Sequence, residues 1–223
     1  MLSDLHLGYY FSSAEFLALA GEVSTWSPDL VCFVGDMVDD QLVDFETFRP
    51  GLAELSRRHT VLAVPGNHEY VADPTLNRFR NVIQDSGAED LTNRGLRVFR
   101  GSSSLWVCGV DDLIAGKPDL ESAMRGLGDD EPALLLSHHP DLFCEAAHCG
   151  IDLTLSGHTH GGQITWFGTP LVGKGYYSHF EYWKGLHASE GSQLLVGKGA
   201  GVSMLPFRIG ARPEVLMIEL RVR

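Results

Sequence analysis

The sequence is short of several things, and each shortage removes a class of protein. Cysteine is scarce: Cys32, Cys108, Cys144 and Cys149 are all that 223 residues contain. Their spacing matches no disulfide framework, zinc knuckle or CxxC redox pair. They read as free thiols buried in apolar runs or helix, which suits a reducing compartment. No apolar run reaches the roughly 18 residues of a membrane-spanning helix, and no charged-then-apolar leader precedes the first motif. Cytoplasmic or membrane-peripheral placement is therefore expected. Cations are few as well, with 17 Lys and Arg against 29 Asp and Glu, a net charge of −12 and a pI near 5.2. Nucleic-acid affinity rests on clustered Lys and Arg, so nucleic acid is not the expected substrate. Repeats, low-complexity tracts and linker-like shifts in composition are also lacking. One domain over residues 1–223 is the expectation, since a single core serves up to about 250 residues.

What is present is an alternation of apolar runs and amphipathic segments. Ser12-Ser13-Ala14-Glu15 has the form of a capping box and predicts a helix to about Trp26. Leu30–Val34 predicts a buried strand, and a second helix is expected from about Val43 to Arg57. Further strands are expected at Val61–Val64, Leu105–Val110, Ala133–Ser137, Ile151–Ser156 and Val215–Leu220, with a short helix over Asp141–Ala147 after Pro140. Only three residues precede the first motif, fewer than the roughly 5 of an ordinary strand. A trimmed start is therefore expected, with weaker metal binding at Asp4 and His6 if residues 1–3 fail to pair into the sheet.

Five short segments carry the chemistry. They are Asp4-Leu5-His6, Gly35-Asp36, Gly66-Asn67-His68-Glu69, Ser137-His138-His139-Pro140 and Gly157-His158-Thr159-His160-Gly161-Gly162-Gln163. Each falls just past a predicted strand, where α/β sheets form their ligand crevices. Singly, each is an ordinary turn or loop string. Together they collect carboxylate oxygens and imidazole nitrogens, donors that suit Mn, Fe, Co or Zn better than Mg or Ca.

The ordered set of five resembles the calcineurin-like metallophosphoesterase family. Ser3–Gly8, Gly109-Val110-Asp111-Asp112 and the tail Ile209–Glu214 are similar to its bacterial YkuE-like phosphodiesterase branch. The resemblance implies an α/β fold, a four-layer αββα sandwich with two mixed β-sheets. It implies two divalent metal ions per chain, for which manganese is the expected identity. Asp4, His6 and His160 would hold one ion, Asn67, His138 and His158 the other, and Asp36 both. The nucleophile would be a bridging hydroxide produced from water acidified by the ions. His68 would be a non-ligand that protonates or stabilises the leaving oxygen, a role suited to imidazole with its ordinary pKa of about 6.5.

Some assignments stay open at this stage. His139 competes with its neighbour His138, because position alone does not say which ring faces the metal. Asp39, Asp40, Asp111 and Asp112 either orient metal-bound imidazoles or serve turns and caps. Glu69 reads as a loop hydrogen-bonding partner or an acid–base group. The aromatic segment 166–183 either packs over a sheet edge or forms an apolar wall for a lipid or aryl leaving group, or a peripheral membrane contact. The expected partner is a small-molecule or lipid phosphoester. A phosphodiester is favoured, a nucleotide-linked lipid such as UDP-2,3-diacylglucosamine is the runner-up, and a non-catalytic metal-binding scaffold is the remote alternative.

Overall fold

The computed structural model describes residues 1–40, 44–171 and 181–221. The expected start of the second helix at Val43, and Tyr176, Tyr177 and Phe180 of the aromatic segment, lie outside that range.

The capping box forms as the sequence predicts. The Ser12 and Glu15 side chains each take the other's backbone N–H, at 3.2 and 2.8 Å, and open helix α1 (Ser13–Thr25). Strand β1 (Leu30–Val34) follows. The predicted helix beyond it divides into a 3₁₀ turn, Phe45–Phe48, and helix α2 (Arg49–Ser56). Pro50 explains the division: lacking an N–H, it is tolerated in the first turn of a helix and not in its interior. Strand β2 (Thr60–Val64), helix α3 (Asn67–Ala72), helix α4 (Asn77–Asp85), strand β3 (Glu89–Asp90), strand β4 (Arg94–Arg100) and strand β5 (Ser103–Gly109) come next. Helix α5 (Leu120–Ala123), strand β6 (Ala133–Leu136), helix α6 (Phe143–His148) and strand β7 (Leu153–Ser156) lead to a small hairpin of β8 (Thr165–Trp166) and β9 (Thr169–Pro170). Strands β10 (Gly185–Ser189) and β11 (Ser192–Val196) complete the set.

These strands make two main sheets. In one, β1, β2 and β3 pair in parallel. The other runs β10-β11-β7-β6-β5-β4, parallel through its middle and antiparallel at both edges. Alternation along the strands sorts their side chains into layers. Cys32 and Val34 of β1 face the second sheet, meeting Val107, Leu134, Leu136 and Leu155. Val31 and Phe33 face the helices, meeting Phe16 of α1 and Leu52 and Leu55 of α2. The far side of the second sheet packs Cys108 and Leu135 against Leu120 and Ala146 of α5 and α6. The result is helices, sheet, sheet, helices: an α/β sandwich of four layers.

The chain's first residues join this frame despite their brevity. Leu2 donates to Cys32 O at 2.8 Å and accepts from Val34 N at 2.9 Å, running parallel to β1. On its other side, Ala200 donates to Ser3 O and Gly201 to Asp4 O. The condition for a loosened first site, unpaired residues 1–3, is therefore absent.

Two expectations are corrected. Val215–Leu220 is not a strand: Leu216 exchanges two hydrogen bonds with Met1, at 2.8 and 3.1 Å. Val215 and Ile218 pack against the core while Met217 and Leu220 point to solvent, but the backbone finds no pairing beyond Met1 among the described residues. Cys32 and Cys108 are buried free thiols, but Cys144 and Cys149 are exposed, lying on the solvent side and C-terminal cap of the short α6. Among the described residues no helix is long and apolar enough to cross a membrane.

Phe33 holds the helical layer to the sheet, its ring edge-on to Phe16 and Phe48, which stack on each other at 4.4 Å. Phe33→Ala is expected to lower unfolding free energy by about 3–5 kcal/mol, read from urea denaturation. A loss below about 1 kcal/mol would show that this layer does not carry the fold.

Candidate metal centre

The motif residues converge at the C-terminal ends of β1, β2, β6 and β7, joined by the paired N-terminal segment. Asp4, His6, Asp36, His138 and His160 are buried, and Asn67, His68 and His158 are half-buried. Ligand-type atoms of Asp4, His6, Asp36 and His160 all lie within 4.8 Å of one another, and so do those of Asp36, His138 and His158. Asp36 is common to both groups. Its Oδ2 is 3.1 Å from His138 Nε2 and 3.7 Å from His6 Nε2.

Backbone geometry is unusual here. Asp4, His6, Asp36, His158 and His160 all have left-handed backbones, with φ between 48° and 67°. Non-glycine residues adopt this region at a cost of order 1–3 kcal/mol each, and such residues cluster at functional sites. The turn at Asp36 begins with Gly35, which must be glycine twice over. Its φ is +75°, and a Cβ there would stand 2.4 Å from His138 Nδ1. A Cβ on Gly199 would likewise stand 2.5 Å from Asp4 Cβ, so the Gly197-Lys198-Gly199 segment closes over the first motif.

Ring orientations are set from outside the cluster. His138 Nδ1 lies 2.9 Å from Val34 O, a hydrogen bond that places the proton on Nδ1 and leaves Nε2 facing Asp36. His138 Nε2 also lies 3.2 Å from His158 Nδ1, and His6 Nε2 lies 3.0 Å from His160 Nε2. Imidazole nitrogens converge here in pairs. Asp4 Oδ2, Asn67 Oδ1 and His6 Nδ1 are buried without a hydrogen-bond partner. Buried polar atoms ordinarily find partners. Converging imidazole nitrogens and orphaned oxygens are the donor set that divalent cations take up.

The ambiguity between the adjacent histidines acquires a geometry. His138 belongs to a metal-capable group. His139 stacks on His158 at 3.7 Å, with Nε2 3.9 Å from Asp112 Oδ2.

Among the acidic neighbours, Asp111 and Asp112 serve turns. Asp111 accepts from Tyr70 OH and Lys117 N, and Asp112 from Ile114 N and Ala115 N. Asp40 Oδ1 is 2.5 Å from His68 Nδ1. His68 donates its backbone N–H to Asp36 Oδ1, and its ring sits edge-on to His6 at 4.4 Å. Its side chain is 15% exposed, against 1% for His6, so it borders the centre where a substrate can reach.

Two residues matter more than their sequence context indicates. Glu69 accepts four backbone N–H bonds, from Gly66, Asp36, Met37 and Val38, at 2.7–3.1 Å. It locks the second motif to the third, which settles its reading as a loop partner. Arg208 donates to Gly201 O, Lys198 O and His160 O and lies 3.1 Å from His160 Nδ1. It ties the tail to the fifth motif. A lone arginine 48 residues away gives no sequence signal of this.

Burial dominates the electrostatics. It lowers His6 and His139 to about 3 and moves His158 and His160 well down, keeping them neutral. Burial also acts to lower His138, but Asp36 and Asp4 overcome it and raise the ring to about 10. Burial would raise Asp36, yet His138, His68 and His6 hold it well below the usual carboxylate range.

Comparison with known proteins gives the family. Residues 1–162 match the family model of the calcineurin-like phosphoesterases, and the chain belongs to that family. It is 29% identical to the metallophosphoesterase YkuE of Bacillus subtilis, over 98% of this chain and 77% of that one. It is 31% identical to a bovine transmembrane protein with a metallophosphoesterase domain, over 99% of this chain but about half (52%) of the relative's length. A zebrafish dimetal phosphatase superposes with a TM-score of 0.54 at 14% identity, over 89% of this chain and 86% of that one. Family and side-chain clusters together point to divalent metal ions in a dinuclear site and to a phosphoester hydrolase.

The pKa pattern has a consequence for the metal-free protein. Histidines lowered on folding bind fewer protons than in the unfolded chain between about pH 3 and 6.5, so their contribution to stability is complete above 6.5 and falls as pH drops through that window. Asp4, Glu69 and Asp112, raised mainly by burial and the first two to about 6 and about 7, oppose this but are outnumbered by four lowered imidazoles, while His138, raised to about 10, stays protonated across the window. With chelator present, Tm is expected to fall steadily from pH 6.5 to 4.5 in thermal melts; a flat profile would contradict the neutral buried state of these rings.

Proposed function

We propose that the chain hydrolyses phosphodiesters at a dinuclear centre. Asp4, His6 and His160 hold one ion, Asn67, His138 and His158 the other, and Asp36 both. The observation that carries this is the pair of ligand clusters sharing Asp36. The imidazole donors favour a transition-metal ion over magnesium, and the carboxylate and amide oxygens beside them suit manganese. Divalent ions bound there would acidify water into an attacking nucleophile near neutral pH and stabilise charge on the phosphoryl oxygens. Asp36 keeps the two ligand groups together, its Oδ1 restrained by the His68 N–H at 3.0 Å. His68, half-buried at the rim, hands its proton to the leaving oxygen, with Asp40 beside Nδ1 to steady the imidazolium. Small-molecule and lipid phosphoesters both fit this chemistry. Exposed Trp166 and Phe167, just past the fifth motif, support a second reading, hydrolysis of a nucleotide-linked lipid such as UDP-2,3-diacylglucosamine.

Metal analysis after reconstitution with manganese should find about two ions per chain, with bis(p-nitrophenyl) phosphate turned over. Asp36→Asn should weaken both sites and His138→Ala one of them, while His139→Ala keeps both. Loss of an ion from His139→Ala but not from His138→Ala would reassign the ligand. Two tight ions without turnover of any phosphoester would instead favour the scaffold. His68→Ala should retain both ions yet lose about 100-fold or more on alkyl diesters. The loss should be smaller on nitrophenyl esters, whose leaving groups need no proton. Equal losses on both would remove the acid role.

A further inference from the structure

We propose that the β8–β9 hairpin and the loop over residues 203–209 form a docking face for an anionic lipid bilayer. Phe167 at the hairpin tip is 93% exposed and Trp166 63%, and Leu171, Met204, Phe207 and Ile209 are exposed around them. Isolated exposed apolar residues need no explanation, but a group on adjacent loops marks an interaction site. The two loops are bound to each other: Thr165 donates to Ile209 O at 2.7 Å, and the Gln163 amide donates to Ser203 O and Leu205 O at 2.8 and 3.1 Å. Gln163 lies three residues beyond His160, so this face is continuous with the metal-binding loop.

Charge identifies the occupant. Residues 163–223 carry 7 Lys and Arg against 4 Asp and Glu, whereas residues 1–162 carry 10 against 25. The apolar tips thus belong to a C-terminal stretch with a small excess of cations, in which Lys198 pairs with Glu214 and Arg221 with Glu219. Lys184 stands at the hairpin itself, its Nζ 3.8 Å from where a Cβ on Gly168 would be and 4.2 Å from the centre of the Trp183 ring. Aromatic and long apolar side chains on protruding tips, with a cation beside them, suit the interface of a negatively charged membrane. Docked this way, the protein holds the fifth motif near the headgroups of lipid phosphoesters. That consequence rests on the proposed hydrolase, but the docking does not.

The experiment is co-sedimentation of the full chain with vesicles of phosphatidylcholine alone or mixed with phosphatidylglycerol. Binding is expected only to the anionic vesicles. It should fall about tenfold or more in W166S/F167S, weaken in K184E and decrease with salt. W166S/F167S should keep its thermal melt and its content of bound metal. Absence of binding to anionic vesicles, or equal binding by W166S/F167S, would overturn the proposal, as would a dimer that this variant dissolves. Binding intact with no phosphoester turnover would overturn the hydrolase reading and leave the docking face standing.

Discussion

Asp36 is held from every side. Its backbone N–H is taken by Glu69, its Oδ1 accepts from His68 N, and its Oδ2 faces His138. Glu69 also takes the next two N–H groups and that of Gly66, so the ends of β1 and β2 are stapled together by one buried carboxylate. A carboxylate shared by two metal-capable groups needs a side chain unable to swing toward either. Three bonds from the neighbouring loop to Glu69, and a fourth from Gly66, provide that stiffness. The rest of the site is arranged about this point. The N-terminal segment and the fifth motif bring one ligand group to it, and the β6 and β7 ends bring the other.

The same arrangement is expensive without ions. Imidazole nitrogens meet at 3.0 and 3.2 Å, and Asp4 Oδ2 and Asn67 Oδ1 lie buried and unpartnered. Desolvated polar atoms of this kind are worth one to several kcal/mol each against the fold, by rough magnitude. Five left-handed non-glycine backbones add to the cost. The three apolar layers of the sandwich offset it, and metal binding to the folded chain would offset it further by linkage. Rigidity and instability therefore share one origin, and the ligand set is the place where sequence-level rules of burial are broken.

Much of this was legible in the sequence, for reasons that differ by residue. Asp4, His6, Asp36, Asn67, His158 and His160 stand out because residue type and short spacing carry the donor chemistry directly. The β1 strand was legible because five apolar residues between turn signals allow little else. His138 and His139 could not be separated by pattern, since the difference lies in a hydrogen bond to Val34, 104 positions away. Arg208 and the fourfold grip of Glu69 were invisible for the same reason: their meaning comes from backbone groups that only the fold brings near. The Val215–Leu220 segment misleads in the opposite way. Its composition is strand-like, but strand formation needs a neighbour, and Met1 supplies one pair of bonds and no more.

The N-terminal segment shows how topology removes an apparent weakness. Three residues ahead of a ligand are too few for a strand that must hold its own register. Here the register is imposed from both flanks: β1 pairs with Leu2 on one side, and the backbones of residues 200, 201 and 216 bond residues 1–4 on the other. Arg208 then secures that second flank to His160, so the first and fifth motifs are braced by the same tail that carries the exposed loop over residues 203–209. Anything that bears on that loop acts on a segment joined to Asp4 and His160 through hydrogen bonds. A docking face and a ligand cluster sharing one braced tail are mechanically connected, whichever phosphoester the site receives.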